Sequence, residues 1–208
     1  MNRIDRLCVV VLLGVSMGGS PQAATLVGGG CDGCEIMYVG MPANIASTDT
    51  SAGWAESGQK LVVNGIIYEH DGRTPAASVV LYYWQTDGKG YYSPSTGMDE
   101  RAKRHGHIRG WVKTDASGRY TIRTIRPAPY PGRSNPAHIH VSIKEPRIEN
   151  EYYIDELVFD DDPLLTPQKR RALENRGGSG ILKVSTSGEL QIAEHKVILG
   201  LNIPNYPL

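Results

Sequence analysis

Residues 126–140 read Arg-Pro-Ala-Pro-Tyr-Pro-Gly-Arg-Ser-Asn-Pro-Ala-His-Ile-His, and this stretch limits the backbone more than any other in the chain. Pro127, Pro129, Pro131 and Pro136 each hold φ near about −65° and remove a backbone donor, which excludes a helix and leaves few conformations to lose on folding. Tyr130, between two prolines, has a nearly preset backbone. The run after Pro136, Ala-His-Ile-His-Val-Ser-Ile, predicts a strand. Alternate strand residues share a face, so His138 and His140 point one way and Ile139 and Val141 the other. Either piece alone is more often incidental: a His-x-His on a strand, or a packed ring in a Pro-Tyr-Pro loop. Two same-facing imidazoles beside a rigidly presented phenol point instead to one metal with mixed nitrogen and oxygen ligands.

The 208 residues suit one domain with a sizeable core. Lysine plus arginine equal aspartate plus glutamate at 22 each, so no excess positive charge argues for nucleic acid or an anionic membrane as partner. Residues 1–24 predict a secretory signal: Arg3 and Arg6 precede a short apolar run, Leu7 to Met17, and small residues follow at Gln22-Ala-Ala24. The expected location is secreted or periplasmic, with no stable membrane insertion once that signal is removed. Cys8 would leave with it, and Cys31 and Cys34 would remain as a local disulfide. A redox Cys-x-x-Cys or half a zinc site are the alternatives, but no strand–helix context supports the first and no second cysteine pair completes the other.

Residues 25–58, rich in Gly, Pro, Ala, Ser and Thr, predict an irregular leader, and residues 59–208 the folded domain. Strands are expected at Leu61–Tyr68 with a bulge or close contact at Gly65, at Ser78–Gln85, Ile108–Thr114, Arg119–Ile125, from His138 to Lys144, and at Tyr152–Phe159. Residues 98–107 read as a charged loop. Thr166–Asn175 predicts the one helix, with Thr166 as N-cap, Pro167 in its first turn and Gly177-Gly178 as its stop. Residues 181–185 and 191–199 suggest a closing hairpin. The expected class is mostly β: an antiparallel β-sandwich with long loops and one short C-terminal helix.

Several motifs carry a resemblance: Val62-Val-Asn-Gly-Ile-Ile67; Trp84-Gln85 followed by Gly90-Tyr-Tyr92; Thr114-Asp115 with Gly118-Arg-Tyr120; Thr124-Ile-Arg-Pro-Ala-Pro-Tyr-Pro131; and Pro136-Ala-His-Ile-His140. Over residues 60–165 the chain resembles the intradiol ring-cleavage dioxygenases. The resemblance implies a ferric ion, Fe(3+), held by two tyrosinates and two histidines, which fall on Tyr92, Tyr130, His138 and His140. Tyr91 is the neighbouring alternative to Tyr92, and a one-residue slip would turn the side chain to the other face. A free phenol titrates near about 10, and a bound cation stabilises its anion as metals acidify water and thiols. By the same resemblance the partners are a catechol-type phenol and O2, with self-association an open expectation. The resemblance further implies that Tyr130 acts as a base and that the ring opens between its hydroxyls to a muconate-type diacid carrying both oxygen atoms.

Two departures from the family stand out. Asn135 occupies the position of a family arginine that stabilises substrate charge, and Arg133 is the candidate replacement. Glu156 falls where the family places a glutamine beside the substrate, and its carboxylate would repel an anionic substrate unless Arg133 paired with it. The loop from Tyr130 to His138 is shorter than usual, which implies a more open pocket roof. His105 and His107 sit among Lys103, Arg104 and Arg109, so a solvated basic loop bordering the pocket is expected; His195 reads as a strand surface residue. Two competing classes remain: a non-catalytic secreted β-sandwich binding module for aromatics or carbohydrate, against which the four candidate ligands weigh, and a zinc hydrolase, for which no carboxylate is expected near the histidines.

Overall fold

The computed structural model describes residues 26–132 and 134–207. The expected export segment, residues 1–24, and the candidate Arg133 lie outside the described residues. The strands are β1 (Thr48–Thr50), β2 (Lys60–Tyr68), β3 (Val80–Gln85), β4 (Arg109–Lys113), β5 (Arg119–Ile125), β6 (His138–Lys144), β7 (Tyr152–Tyr153) and β8 (Leu157–Phe159). After the helix α1 (Pro167–Ala172) come β9 (Ile181–Leu182), β10 (Val184–Ser187) and β11 (Leu190–Ile198).

Two sheets form a sandwich, ordered β1-β5-β2-β11-β10 and β4-β3-β6-β8-β9, with β7 added against β6. Most neighbours are antiparallel, but β1–β5, β2–β11 and β8–β9 run parallel. The end of the leader therefore joins the fold, because Thr48–Thr50 register with Thr121–Arg123. Cys31 and Cys34 are joined by a disulfide. The helix is shorter than its sequence pattern; its Thr166 cap accepts from the Lys169 backbone N–H at 3.3 Å, and it buries none of its residues.

Period-two alternation fills the core. Leu61, Val63 and Ile67 of β2 face Ile139, Val141 and Ile143 of β6 within one buried cluster, each such side chain contributing about 1.5–3 kcal/mol when fully buried. Strand β3 is apolar on both faces because each covers something different. Leu81 and Tyr83 enter the sandwich core, whereas Tyr82 and Trp84 pack outside it with Ile36, Met37 and Ala102. The outer face of the second sheet is thus roofed by residues 34–38 and 100–105, both 3-10 helices.

Three expectations need correction. Residues 100–105 are helical rather than loop, because Asp99 caps the first turn by accepting from the Arg101 backbone N–H. The strand expected over 152–159 is two short pieces, β7 and β8, with Ile154, Asp155 and Glu156 between them. His195 is not at the surface. It alternates with Ala193 and Val197 on the buried face of β11, and its Nδ1 meets the Tyr120 hydroxyl at 2.6 Å. Gly65 pairs with Tyr120 across the sheet, and any Cβ there would overlap the Tyr120 ring, so the glycine makes the close contact its position suggested.

Candidate metal centre

The β6 alternation that sends Ile139 and Val141 into the core puts His138 and His140 on the roofed outer face of the second sheet, next to Trp84. The proline-rich stretch leaves β5 in the first sheet and is pinned across the end of β3. Gln85 Nε2 donates to the Ile125 carbonyl at 2.8 Å, and Thr86 Oγ1 to the Ala128 carbonyl at 2.7 Å. Beyond it, the Ala137 N–H donates to Asp162 Oδ2 at 2.7 Å, which fixes the entry to β6. Gly90 has φ of 87°, and a Cβ there would strike the Pro129 carbonyl, so glycine lets the segment carrying Tyr92 approach the one carrying Tyr130.

These constraints bring four donor atoms together. The Tyr92 hydroxyl lies 2.8 Å from the Tyr130 hydroxyl and 2.7 Å from His140 Nε2. The Tyr130 hydroxyl lies 3.0 Å from His138 Nε2 and 3.5 Å from His140 Nε2. Bonds of about 2.0–2.2 Å to one ion would put neighbouring ligand atoms roughly 3–3.5 Å apart, so this donor set fits a single metal. Tyr91, by contrast, is 55% exposed and absent from the cluster, so Tyr92 is the tyrosine that faces it.

The other imidazole nitrogens are occupied. His138 Nδ1 donates to the Pro136 carbonyl at 2.8 Å, and His140 Nδ1 contacts the Tyr153 hydroxyl. Each Nε2 is therefore left as a lone-pair donor toward the phenols, as expected of metal-ligating histidines with an outer partner. Without a cation, burial raises the Tyr92 and Tyr130 hydroxyls above the ordinary phenol range, and burial, then His138 and His105, holds the His140 imidazole well below the usual histidine range. Hard phenolate oxygens beside neutral imidazoles suit a trivalent ion whose charge would reverse the phenol shift.

Tyr92, Tyr130 and His140 face a pocket of about 440 Å³ that is also lined by Trp84, Arg104, His105, Tyr153, Glu156 and Arg176, with Gly30, Cys31 and Asp32 beside them. Glu156 lines the pocket, where it accepts from the Tyr153 hydroxyl at 3.3 Å. The expectation that no carboxylate approaches the histidines is corrected: donor atoms of His138, His140 and Glu156 all lie within 4.8 Å of one another. Glu156 Oε1 nevertheless meets His140 at Nδ1, 3.4 Å away, and not at the Nε2 that faces the phenols. His105 is likewise not a solvated loop residue: it is buried in the pocket wall and stacked on Trp84, while its neighbour His107 pairs with Glu56. Sequence reasoning gave no role to Tyr153, Trp84 or Arg176; the Trp84-Gln85 motif was the one available sign.

A family model described as Dioxygenase matches residues 37–176. Catechol 1,2-dioxygenase 1 of Acinetobacter lwoffii is 29% identical over 162 residues, 65% of this chain and 50% of its own length. The protocatechuate 3,4-dioxygenase beta chain of Burkholderia cepacia is 28% identical over 118 residues, 52% of this chain and 48% of its own. The chain thus spans about half the length of these curated relatives. Among solved structures, the dioxygenase domain of a dioxygenase–carbohydrate-binding protein fusion from Streptomyces sp. SirexAA-E superposes with a TM-score of 0.57 at 23% identity, over 76% of this chain and 91% of that one. Hydroxyquinol 1,2-dioxygenase from Pseudomonas putida DLL-E4 gives 0.54 at 22%, over 76% and 61%. At these identities the structural likeness is one of fold.

Proposed function

We propose a function from the premise that this chain belongs to the intradiol ring-cleavage dioxygenase family: it cleaves a catechol-type ring between its two hydroxyls with O2, giving a muconate-type diacid that holds both oxygen atoms. The observation that carries this reading is the convergence of Tyr92, Tyr130, His138 and His140 through their Oη and Nε2 atoms. Those four residues would hold Fe(III). Bound there, the ion supplies Lewis acidity that keeps phenolic oxygens anionic at neutral pH and so makes an electron-rich ring available to O2.

The chain's own groups do the rest. Tyr130, the less buried of the two phenols, takes a hydroxyl proton from the substrate at its Oη. The Pro136 carbonyl and the Tyr153 hydroxyl hold the two imidazoles in the tautomer that presents Nε2. Trp84, stacked on His140 at 4.8 Å, gives the pocket an aromatic wall beside the substrate ring. Arg133 is proposed to offset the charge that develops on the substrate, and Glu156 to order the substrate side of the pocket. Export is part of the same reading, supported by the Cys31–Cys34 disulfide, a bond that oxidising compartments sustain.

Concentrated iron-loaded protein is expected to be red-brown from tyrosinate-to-ferric charge transfer. It should consume O2 with a panel of catechols and give products heavier by two oxygen atoms without yellow ring-fission colour. Tyr130→Phe should weaken both the colour and the turnover. A colourless, zinc-holding protein that consumes no O2 would move His138, His140 and Glu156 to the hydrolase reading.

A further inference from the structure

We propose that His105 determines substrate specificity by donating a hydrogen bond from Nε2–H to a neutral oxygen, a hydroxyl or an ether, carried on the ring of a substituted catechol. The inference rests on the ring-cleavage reading above and adds the substituent that the pocket selects. His105 is none of the four candidate ligands, yet it lines the same pocket as Tyr92, Tyr130 and His140.

The hydrogen-bond chain behind His105 decides which nitrogen carries the proton. Arg109 has only donors, and its Nη1 donates to the Tyr82 hydroxyl oxygen at 3.1 Å. Tyr82 is fully buried, and its hydroxyl lies 2.9 Å from His105 Nδ1. With a lone pair already accepting from Arg109, the hydroxyl's proton has His105 Nδ1 as its partner; the opposite tautomer would leave a buried O–H with none, a cost of about 1–3 kcal/mol by general estimates. Nδ1 therefore accepts, and Nε2 carries the hydrogen. Burial, with the Arg104 and Arg109 charges, also pushes this imidazole down to about 3, which keeps it neutral.

Nε2 has no hydrogen-bond partner among the described residues, and it is not a sealed orphan, because only Ser142 Oγ among those residues is buried without one. It opens onto the pocket. Trp84 fixes its direction: the His105 ring stacks on the indole at 4.1 Å and 3°, and the same indole stacks on His140 at 4.8 Å and 15°. The donor is thereby held in register with the candidate metal centre. Gly33 leaves room for this edge, since a Cβ there would lie 3.1 Å from Nε2.

The surrounding charges select a neutral acceptor over an anion. The two pocket cations are already offset, Arg104 by Asp32 at 2.9 Å and Arg176 by Glu174. Glu156 accepts from the Tyr153 hydroxyl and lies 3.4 Å from His140 Nδ1 in the pocket wall, so an anionic substituent would meet a carboxylate there.

The test uses the full chain, loaded with iron, and compares catechol, 4-methoxycatechol, hydroxyquinol and protocatechuate. His105→Phe keeps a ring for the Trp84 stack and removes the donor. Relative to catechol, kcat/KM for 4-methoxycatechol and hydroxyquinol should fall about tenfold further, through KM, and His105→Gln, which restores a side-chain N–H, should recover part of it. Histidine nitrogen NMR on metal-free protein gives a readout independent of turnover: His105 should be protonated at Nε2, and 4-methoxycatechol should shift that resonance more than catechol does. An equal loss for all substrates, or protonation at Nδ1, overturns the inference and leaves the ring-cleavage reading intact. Failure of the wild type to consume O2 with any catechol overturns that reading and this inference with it.

Discussion

Replacing Tyr153 with phenylalanine tests how the candidate centre is held. Tyr153 is in β7, and its hydroxyl joins His140 Nδ1 to Glu156 Oε1, 3.3 Å away. With Nε2 committed to a metal, His140 must donate from Nδ1, and Tyr153→Phe removes the acceptor from a buried donor. A buried donor left unmatched costs about 1–3 kcal/mol. Glu156 Oε1, 3.4 Å from Nδ1, can take over part of that bond. We therefore expect a loss near about 1.4 kcal/mol, or roughly tenfold in Fe(III) affinity, at the lower end of the 10–100-fold typical for outer partners of metal-bound histidine. Chelator competition followed at the tyrosinate band would measure it. The band itself should survive at full loading, because no ligand is lost. Adding Glu156→Leu should cost more than the sum of the single changes, since each variant leaves the other residue as substitute acceptor. Affinity within twofold of wild type in Tyr153→Phe, or a larger loss in Glu156→Leu alone, would refute the outer-partner role.

Gly65→Ala should cost about 2–4 kcal/mol, because the new methyl displaces the Tyr120 ring and parts it from His195; a denaturant midpoint unchanged from wild type would contradict this. Burial pushes the His195 imidazole down to about 4, against about 6.5 when unfolded. The unfolded chain then binds more protons, so this contribution is complete above pH 6.5 and drains away as pH falls toward about 4; His195→Gln should flatten that slope in urea unfolding curves. Exchanging both Cys31 and Cys34 for serine opens a short loop, worth about 2 kcal/mol by chain entropy, and should make stability indifferent to reductant, whereas wild type should lose a similar amount when reduced.

The inward alternation of β2, β5 and β6 was plain in the sequence, and so were the Pro-Tyr-Pro and His-x-His donors, because period two and proline act locally. Strand partners and directions were not, since alternation says which face is buried but not against what: nothing in Leu190–Ile198 announces a parallel neighbour. His195 shows the difference. It was expected at the surface, yet it shares the inner face with Ala193 and Val197, and only Gly65, far away in sequence, opens the space that lets Tyr120 satisfy it. His105 was misjudged because charge in its neighbours suggested solvent, whereas Arg104 turns outward to Asp32 while the imidazole turns inward to Tyr82. Tyr153 and Glu156 went unconnected because one expected strand over 152–159 would have held them in a regular ladder, and the break after β7 lets both reach His140.

The four donors do not come from one layer. Tyr130 follows β5 of the first sheet, whereas Tyr92 follows β3, and His138 and His140 belong to β6 of the second. An ion gripped by all four would act as a clasp between the two halves of the sandwich, so loading and melting become one linked equilibrium. Free iron at a thousand times its dissociation constant would add about 4 kcal/mol to unfolding, and a chelator would weaken the seam between the layers before it disturbed either one.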